Sequence, residues 1–316
     1  MKFVNGAILL KKEGDRKSLD TEALPALALK ALQEGKTEIN VPLKTEPKRI
    51  TDEMVARIKD VIGEFSTRFS AGNTPRCANI KLAASKLDGT ILLPGETVSF
   101  NGTVGRRTIA GGFRVAGVYK NGQHDTGVGG GICQVSTTLY NAALFSDLGI
   151  VQRSNHSLPV PYVPLGRDAT VDYGNIDLVV RNTTPDPIVL ASQYRPGKLT
   201  FRILGTKREE FKVRMTSTGV TRREGRARRI LDRTLPPGTT KVSGGGGVLS
   251  LSTTRIVERN GQVRRDKPAH SYYGGGVTTI AYNPAPRRRA VAPRATPPIP
   301  PVAQSTPAAP APDPLG

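Results

Sequence analysis

The chain has no tryptophan, and its 316 residues include only three histidines and two cysteines. Two cysteines, Cys77 and Cys133, allow one disulfide or two thiols, too few to staple a scaffold. Together with three scattered histidines they give no zinc-ligand spacing, so no metal is expected. No Gly-Lys-Ser/Thr follows the glycine run at 129–131, which argues against a phosphate loop, and no cofactor is read. Apolar runs stay short of the roughly 18 residues a membrane-spanning helix needs. Acidic side chains are outnumbered, 26 against 46 basic ones, for a net charge of +20. Such a surface seeks polyanions: nucleic acid, anionic cell-wall polymers or a membrane surface. An aromatic content of 5% and the lack of zinc-finger or ribonucleoprotein-type spacing count against nucleic acid.

What is present suggests an α+β chain with helices in its first 90 residues. "SLDTEALPALALKALQEG" offers Asp20 as an N-cap, an apolar stripe from Leu24 to Leu32, and Gly35 past the end. "TEINVPL" alternates like a strand. "ITDEMVARIKDVIGEF" predicts a second helix, capped by Thr51, with Met54, Ile58, Val61, Ile62 and Phe65 along one side. "RCANIKLAASKLDG" predicts a third, ending at Gly89. Short strands follow from Thr90 to Thr126, with a hairpin signal at Asn121-Gly122. A glycine-fed helix spans 129–146, and strands are expected near 169–173, 176–182, 187–194 and 198–204. Past Gly205 a basic connector carries a strand, and a second hairpin turns at Asn260-Gly261. From Pro284 onward 11 of 33 residues are proline, a composition that predicts a disordered tail over 284–316. The N-terminus meets charge at once and has no small-residue cleavage site, so no export signal is read.

The stretch "GGGICQVSTTLYNAALF" places Cys133 where a glycine turn enters a helix. Backbone N–H groups and the positive end of the helix dipole converge there, which favours a thiolate. The same amides, Gly131 and Cys133, suit a developing oxyanion. On the helix Cys133, Ser136/Thr137 and Tyr140 share one face, and Val135, Leu139 and Ala142 share the opposite one. A thiol on a polar face suits acyl transfer, but the spacing also fits a small buried cysteine beside a tight turn. Of the three histidines, His124, His156 and His270, the second is the preferred base, its neighbours Asn155 and Ser157 suggesting exposure. The Gly166-Arg167-Asp168 turn offers it an orienting carboxylate, and offers a substrate carboxylate a cation.

"GEFSTRFS", "RCANIKLAASKLDGTILLPGETVSFN", "GRRTIAGGFRVAGV" and above all "GGGICQVSTTLYNAAL" resemble the VanW domain, over residues 65–205. Residues 1–64 are similar to the end of the peptidoglycan-binding domain that often precedes it. The span 206–283, a basic connector and β-rich module, faintly resembles the G-five wall-adhesion domain from about 215. The resemblance implies a helical N-terminal region, a mostly antiparallel β domain with one central Gly-capped helix, then a hairpin-rich module. VanW takes its name from vancomycin-resistance clusters, and some proteins with this domain are regarded as L,D-transpeptidases working through a cysteine acyl-enzyme. Carried over, Cys133 is the nucleophile and His156 the base, with Asp168 of the turn read above as its orienting carboxylate. Gly130, Gly131, Gln134, Thr137, Tyr140, Tyr162 and Arg167 are the expected oxyanion and substrate contacts. Better-known L,D-transpeptidases place the histidine before the cysteine; here the order is reversed. The implied partners are peptidoglycan stem peptides and anionic wall polymers, and the implied location is the cell envelope or beyond. Without an export signal, N-terminal truncation is expected, and a cytoplasmic location stays open. A non-catalytic wall-binding or glycopeptide-resistance accessory protein, with Cys133 bridged to Cys77, is the alternative.

Overall fold

The computed structural model describes residues 2–4, 7–9, 16–46, 50–120, 123–225, 227–243, 247–274 and 277–285. The prolines and arginines expected to form a tail lie almost wholly outside them. The fold is α+β and dominated by mostly antiparallel strands.

The first 60 residues hold less helix than their apolar spacing suggests. The first helix runs over Leu24–Gln33, with Pro25 in its opening turn. Asp20 accepts from the Glu22 and Ala23 amides, each at 3.2 Å, one turn ahead of it. Proline's fixed φ starts the helix, and Asp20 shapes the turn before it. The strand read in "TEINVPL" begins instead at Leu43 and runs to Glu46, paired with Arg16–Leu19.

The second expected helix is the largest misreading. Only Asp52–Ala56 is helical, capped by Thr51 Oγ1 on the Met54 amide at 3.2 Å. Asp60–Arg68 is a nine-residue strand lying antiparallel to Lys198–Gly205. The β-branched Val61 and Ile62 favour a pleated surface. Gly63 lets this strand press on the end of the central helix: a Cβ there would sit 2.8 Å from the Ser146 backbone nitrogen.

This strand edges a four-stranded antiparallel sheet, ordered 60–68, 198–205, 188–195 and 90–92. The helix Thr74–Leu87 and the central helix Ile132–Phe145 pack on it around Ile80, Val135, Leu139, Leu190 and Phe201. Nearly every residue from Ile132 to Leu144 is buried. The central helix therefore has no wet polar face; its polar side is sealed by the 167–171 segment. The expected strands at 169–173 and 176–182 shrink to Val179–Arg181 and two isolated bridges, Ser154 to Thr170 and Asp172 to Ile176. Gly149–Gln152, unforeseen, pairs with Val179–Arg181, which pairs in turn with Thr97–Ser99.

Val115–Lys120 and Gln123–Val128 pair as a hairpin, with the Asn121-Gly122 connection itself outside the described residues. In the C-terminal part the basic connector forms the long strand Phe211–Arg223, paired with Val248–Arg259. The latter turns at Asn260 (φ 49°) and Gly261 (φ 76°), the two positive φ values that a tight hairpin turn needs, into Gln262–Arg265. Ala269–Tyr273 pairs along the same long strand. Arg255 joins this sheet to the end of the central helix, donating to the Leu144 carbonyl at 3.4 Å and to the Leu148 carbonyl just beyond it at 2.8 Å. No described helix is long and apolar enough to cross a membrane.

Candidate functional site

The glycine run before Cys133 is required by packing. Gly131 is the N-cap of the central helix at φ 105°, a region side chains avoid. A Cβ there would also meet Ile80 Cγ1 at 2.9 Å and Arg76 Cγ at 3.0 Å. At Gly130 a Cβ would lie 2.5 Å from the Gly117 carbonyl oxygen. The buried Asn79 ties this turn down, donating to the Arg114 and Gly130 carbonyls at 2.9 and 3.0 Å and accepting from the Arg114 amide at 2.7 Å. The Ile132 and Gln134 amides are spent on the Gly129 and Gly131 carbonyls, both at 3.1 Å. The Cys133 amide, in the first turn, has no intrahelical acceptor.

Cys133 Sγ lies 3.5 Å from both Thr170 Oγ1 and the Val171 carbonyl oxygen. The bridge between Ser154 and Thr170 lays the 153–156 segment along 168–170 and so delivers His156 to the thiol. His156 is 8% exposed, not the solvated side chain expected from its neighbours. Its Nδ1 sits 2.6 Å from Asp168 Oδ2, and its backbone amide donates to the same oxygen at 2.6 Å. Nε2 is then the ring nitrogen left for Cys133.

Burial alone would raise the thiol pKa, but its hydrogen bond to His156 and that ring's positive charge outweigh it. The Cys133 thiol is brought down to about 7. Burial likewise works against the His156 cation, and the bonds to Asp168 and Cys133 overcome it, lifting the imidazole to about 9. Asp168, itself buried, is held below the usual carboxylate range by His156 and by Tyr273. Between about 7 and 9 the pair is therefore a thiolate and an imidazolium.

Two further residues fix Asp168. The Tyr273 hydroxyl donates to Oδ1 at 2.5 Å while accepting from the Gly166 amide at 2.8 Å. Arg153 spans the Asp168 carbonyl at 2.7 Å, Asp168 Oδ1 at 3.3 Å and Ser271 Oγ at 2.9 Å. Gly166 allows the close approach: a Cβ there would be 2.1 Å from Thr253 Oγ1.

Cys133 and His156 open on a cavity of about 720 Å³. Of the residues expected to touch substrate, Gly130, Gly131, Gln134 and Tyr162 line it. Thr137, Tyr140 and Arg167 do not. Thr137 Oγ1 is buried and bonded to both the amide and the carbonyl of Ala169, at 3.0 and 3.1 Å. Tyr140 is buried under the Arg153 guanidinium, 5.5 Å above its ring. Arg167 lies beside the stacked Phe65 and Phe145 rings, at 5.0 and 4.9 Å from their centroids, and donates to Asn141 Oδ1 at 2.8 Å. It lies outside the cavity lining, and its Nη2 is buried with no hydrogen-bond partner among the described residues. Gln134, though at the wall, is 1% exposed and bonded to Arg76, Thr67 and Arg68.

The cations that do face the cavity are Arg76, Arg106 and Arg107. The "GRR" that supplies two of them was legible in the sequence, yet nothing local ties it to Cys133. Both cysteines are free, with Cys77 directed at the Ser70 and Ala71 carbonyls, so the bridge to Cys133 is absent from the structure.

These features define a class: an α+β protein with a cysteine, a histidine and an aspartate in series at a glycine-capped helix start, under an arginine-lined cavity. Residues 75–204 match the family model described as "VanW like protein". The chain is 40% identical over 167 residues to the uncharacterized protein YoaR of Bacillus subtilis, a match covering 52% of this chain and 55% of that one. It is 40% identical over 111 residues to the vancomycin B-type resistance protein VanW of Enterococcus faecalis, covering 34% and 40% respectively. The chain thus spans about half the length of these relatives. Two G5 domains also show a likeness at 16% identity. That of an IgA1 protease has a TM-score of 0.18 and covers 25% of this chain and 96% of its own; that of HP0197 has 0.15, with 23% and 99%. At such scores the likeness carries no argument.

Proposed function

We propose that this protein is a cell-envelope acyltransferase that acts on peptidoglycan stem peptides through a Cys133 thioester, in the manner of an L,D-transpeptidase. The observation that carries the reading is the series Cys133, His156, Asp168, with the thiol brought to about 7 at the mouth of a cavity. The family match and the resistance role in the printed name of one relative supply the envelope context.

The thiolate sulfur bonds the carbonyl carbon, and the oxygen takes the negative charge toward the Gly131 and Cys133 amides. As the carbon–nitrogen bond breaks, the His156 imidazolium gives its proton to the leaving amine. An acceptor amine or water then attacks the thioester, its proton passes to His156, and the thiolate is restored. Asp168 touches no substrate; it fixes the ring and its charge. The net charge of +20 suits anionic wall polymers as a tether.

The test is intact-protein mass after incubation with disaccharide-tetrapeptide muropeptides, for wild type and Cys133→Ala. An acyl adduct on wild type alone supports the enzyme. No adduct, with Cys133→Ala still binding peptidoglycan, transfers the function to wall binding.

A further inference from the structure

We propose that Arg107, backed by Arg76 and Arg106, forms an anion subsite in the Cys133 cavity that binds the carboxylate of the residue leaving the acyl donor. The proposal rests on the acyl-transfer reading and names the chemistry of its substrate.

Arg107 is built into the wall. Its Nη1 donates to Asn101 Oδ1 at 2.7 Å, and its guanidinium lies 5.5 Å from the Phe100 ring and 5.9 Å from the Tyr173 ring. Its stem runs under Gly129, where a Cβ would come within 3.1 Å of Arg107 Cβ and Cγ. The glycine run thus makes room for a cation as well as for a thiol. Its Nη2 is buried and has no hydrogen-bond partner among the described residues. A buried, unpartnered guanidinium donor is costly, and a group on a bound ligand is the natural acceptor.

The charge around it agrees. Burial lowers the Arg107 pKa, and the Cys133 thiolate is the largest opposing influence, so the two groups sense one another. Arg106 lies 5.8 Å over the outer Tyr173 ring, and Arg76 is steadied by Gln134 Oε1 at 2.8 Å. Among the charged side chains at the wall, three arginines and His156 face the Cys133 thiolate and a single carboxylate, that of Asp172. That carboxylate is already engaged by Asn175 Nδ2 at 2.7 Å. The forked, planar donor set of arginine matches a carboxylate. Because nucleophile and cation line one cavity, a carboxylate on the same peptide as the attacked carbonyl can meet Arg107 while Cys133 attacks.

The experiment compares two synthetic tetrapeptide donors that differ only in a free C-terminal carboxylate or a carboxamide. On wild-type protein the carboxylate donor should acylate Cys133 at least about tenfold faster, the scale of a charged hydrogen bond. Arg107→Gln should erase that preference, and Arg107→Lys should restore part of it. Equal rates for the two donors on wild type overturn the subsite while leaving the acyl-enzyme intact. Should neither donor acylate Cys133, the acyl-transfer reading fails; binding of the two peptides to Cys133→Ala, followed by calorimetry, then decides the subsite. A tighter carboxylate peptide supports it, and equal affinities or no binding overturn it.

Discussion

The Tyr273 hydroxyl donates to Asp168 Oδ1 at 2.5 Å, so a strand of the C-terminal sheet reaches the carboxylate that holds His156. The two residues are 105 positions apart in sequence. Between them the same hydroxyl also satisfies the Gly166 amide. Tyr273→Phe therefore leaves a buried amide without its acceptor and removes one donor from Asp168. About 1–3 kcal/mol of stability should be lost, the cost of a buried group left unpaired. Thermal unfolding checks the stability, and the rate of Cys133 alkylation by iodoacetamide should fall with it. An unchanged melting temperature would mean that the C-terminal sheet does not support the site.

The pH dependence of that alkylation follows from the pair itself. The thiol is lowered to about 7, so the nucleophilic thiolate should appear as pH rises through that value. His156 is raised to about 9, so its proton, needed by the leaving amine, is lost as pH rises further. Alkylation, which needs only the thiolate, should rise to a plateau. Acyl transfer should trace a bell with limbs near 7 and 9, which belong to the pair and not to either group alone. A single ascending limb near the value of a free thiol would mean that Cys133 and His156 form no ion pair.

Asp168→Asn tests the positioning role while nearly keeping the shape. The amide carries no charge to favour the imidazolium and presents a donor or an acceptor to Nδ1, not a carboxylate. The His156 pKa should drop and the thiol pKa should climb back toward its ordinary range. At neutral pH the thiolate fraction, and with it alkylation, should fall about tenfold per pKa unit regained. His156→Gln should give the same direction with no descending limb left in the acyl-transfer profile. Circular dichroism would separate this from unfolding.

How much of this was legible in the sequence depends on the range of the forces involved. Cys133 at the helix start and the Asn260-Gly261 turn are local features, written in glycine positions and readable from them. The strand Asp60–Arg68 was misread because Ile58, Ile62 and Phe65 also fit a helical stripe. What decides between the two is pairing with Lys198–Gly205, whose partners lie 130 to 145 residues away. The burial of the central helix's polar side was not legible, since nothing near it in sequence says that Ala169 will take up Ser136 and Thr137. The arginines show the same limit. Arg167 beside Asp168 looked like a substrate cation, whereas Arg107, 26 residues before Cys133, reaches the cavity through the fold.

Arg167 gives the sharpest test of that distinction. Its guanidinium packs beside the stacked Phe65 and Phe145 rings and is bonded to Asn141, away from the cavity. Arg167→Met keeps much of the stem and apolar bulk but removes the charge and the Asn141 bond. Loss of a partly desolvated cation packed beside two rings should cost about 2 kcal/mol, visible as a lower melting temperature. The KM for a carboxylate-bearing donor should stay within about twofold of wild type, since no ligand contact is lost. Arg107→Lys should behave in the opposite way, with KM raised and the melting temperature little changed. If Arg167→Met instead raised KM with unchanged stability, the cation that reads the substrate would be the one beside Asp168, and the cavity arginines would be only its rim.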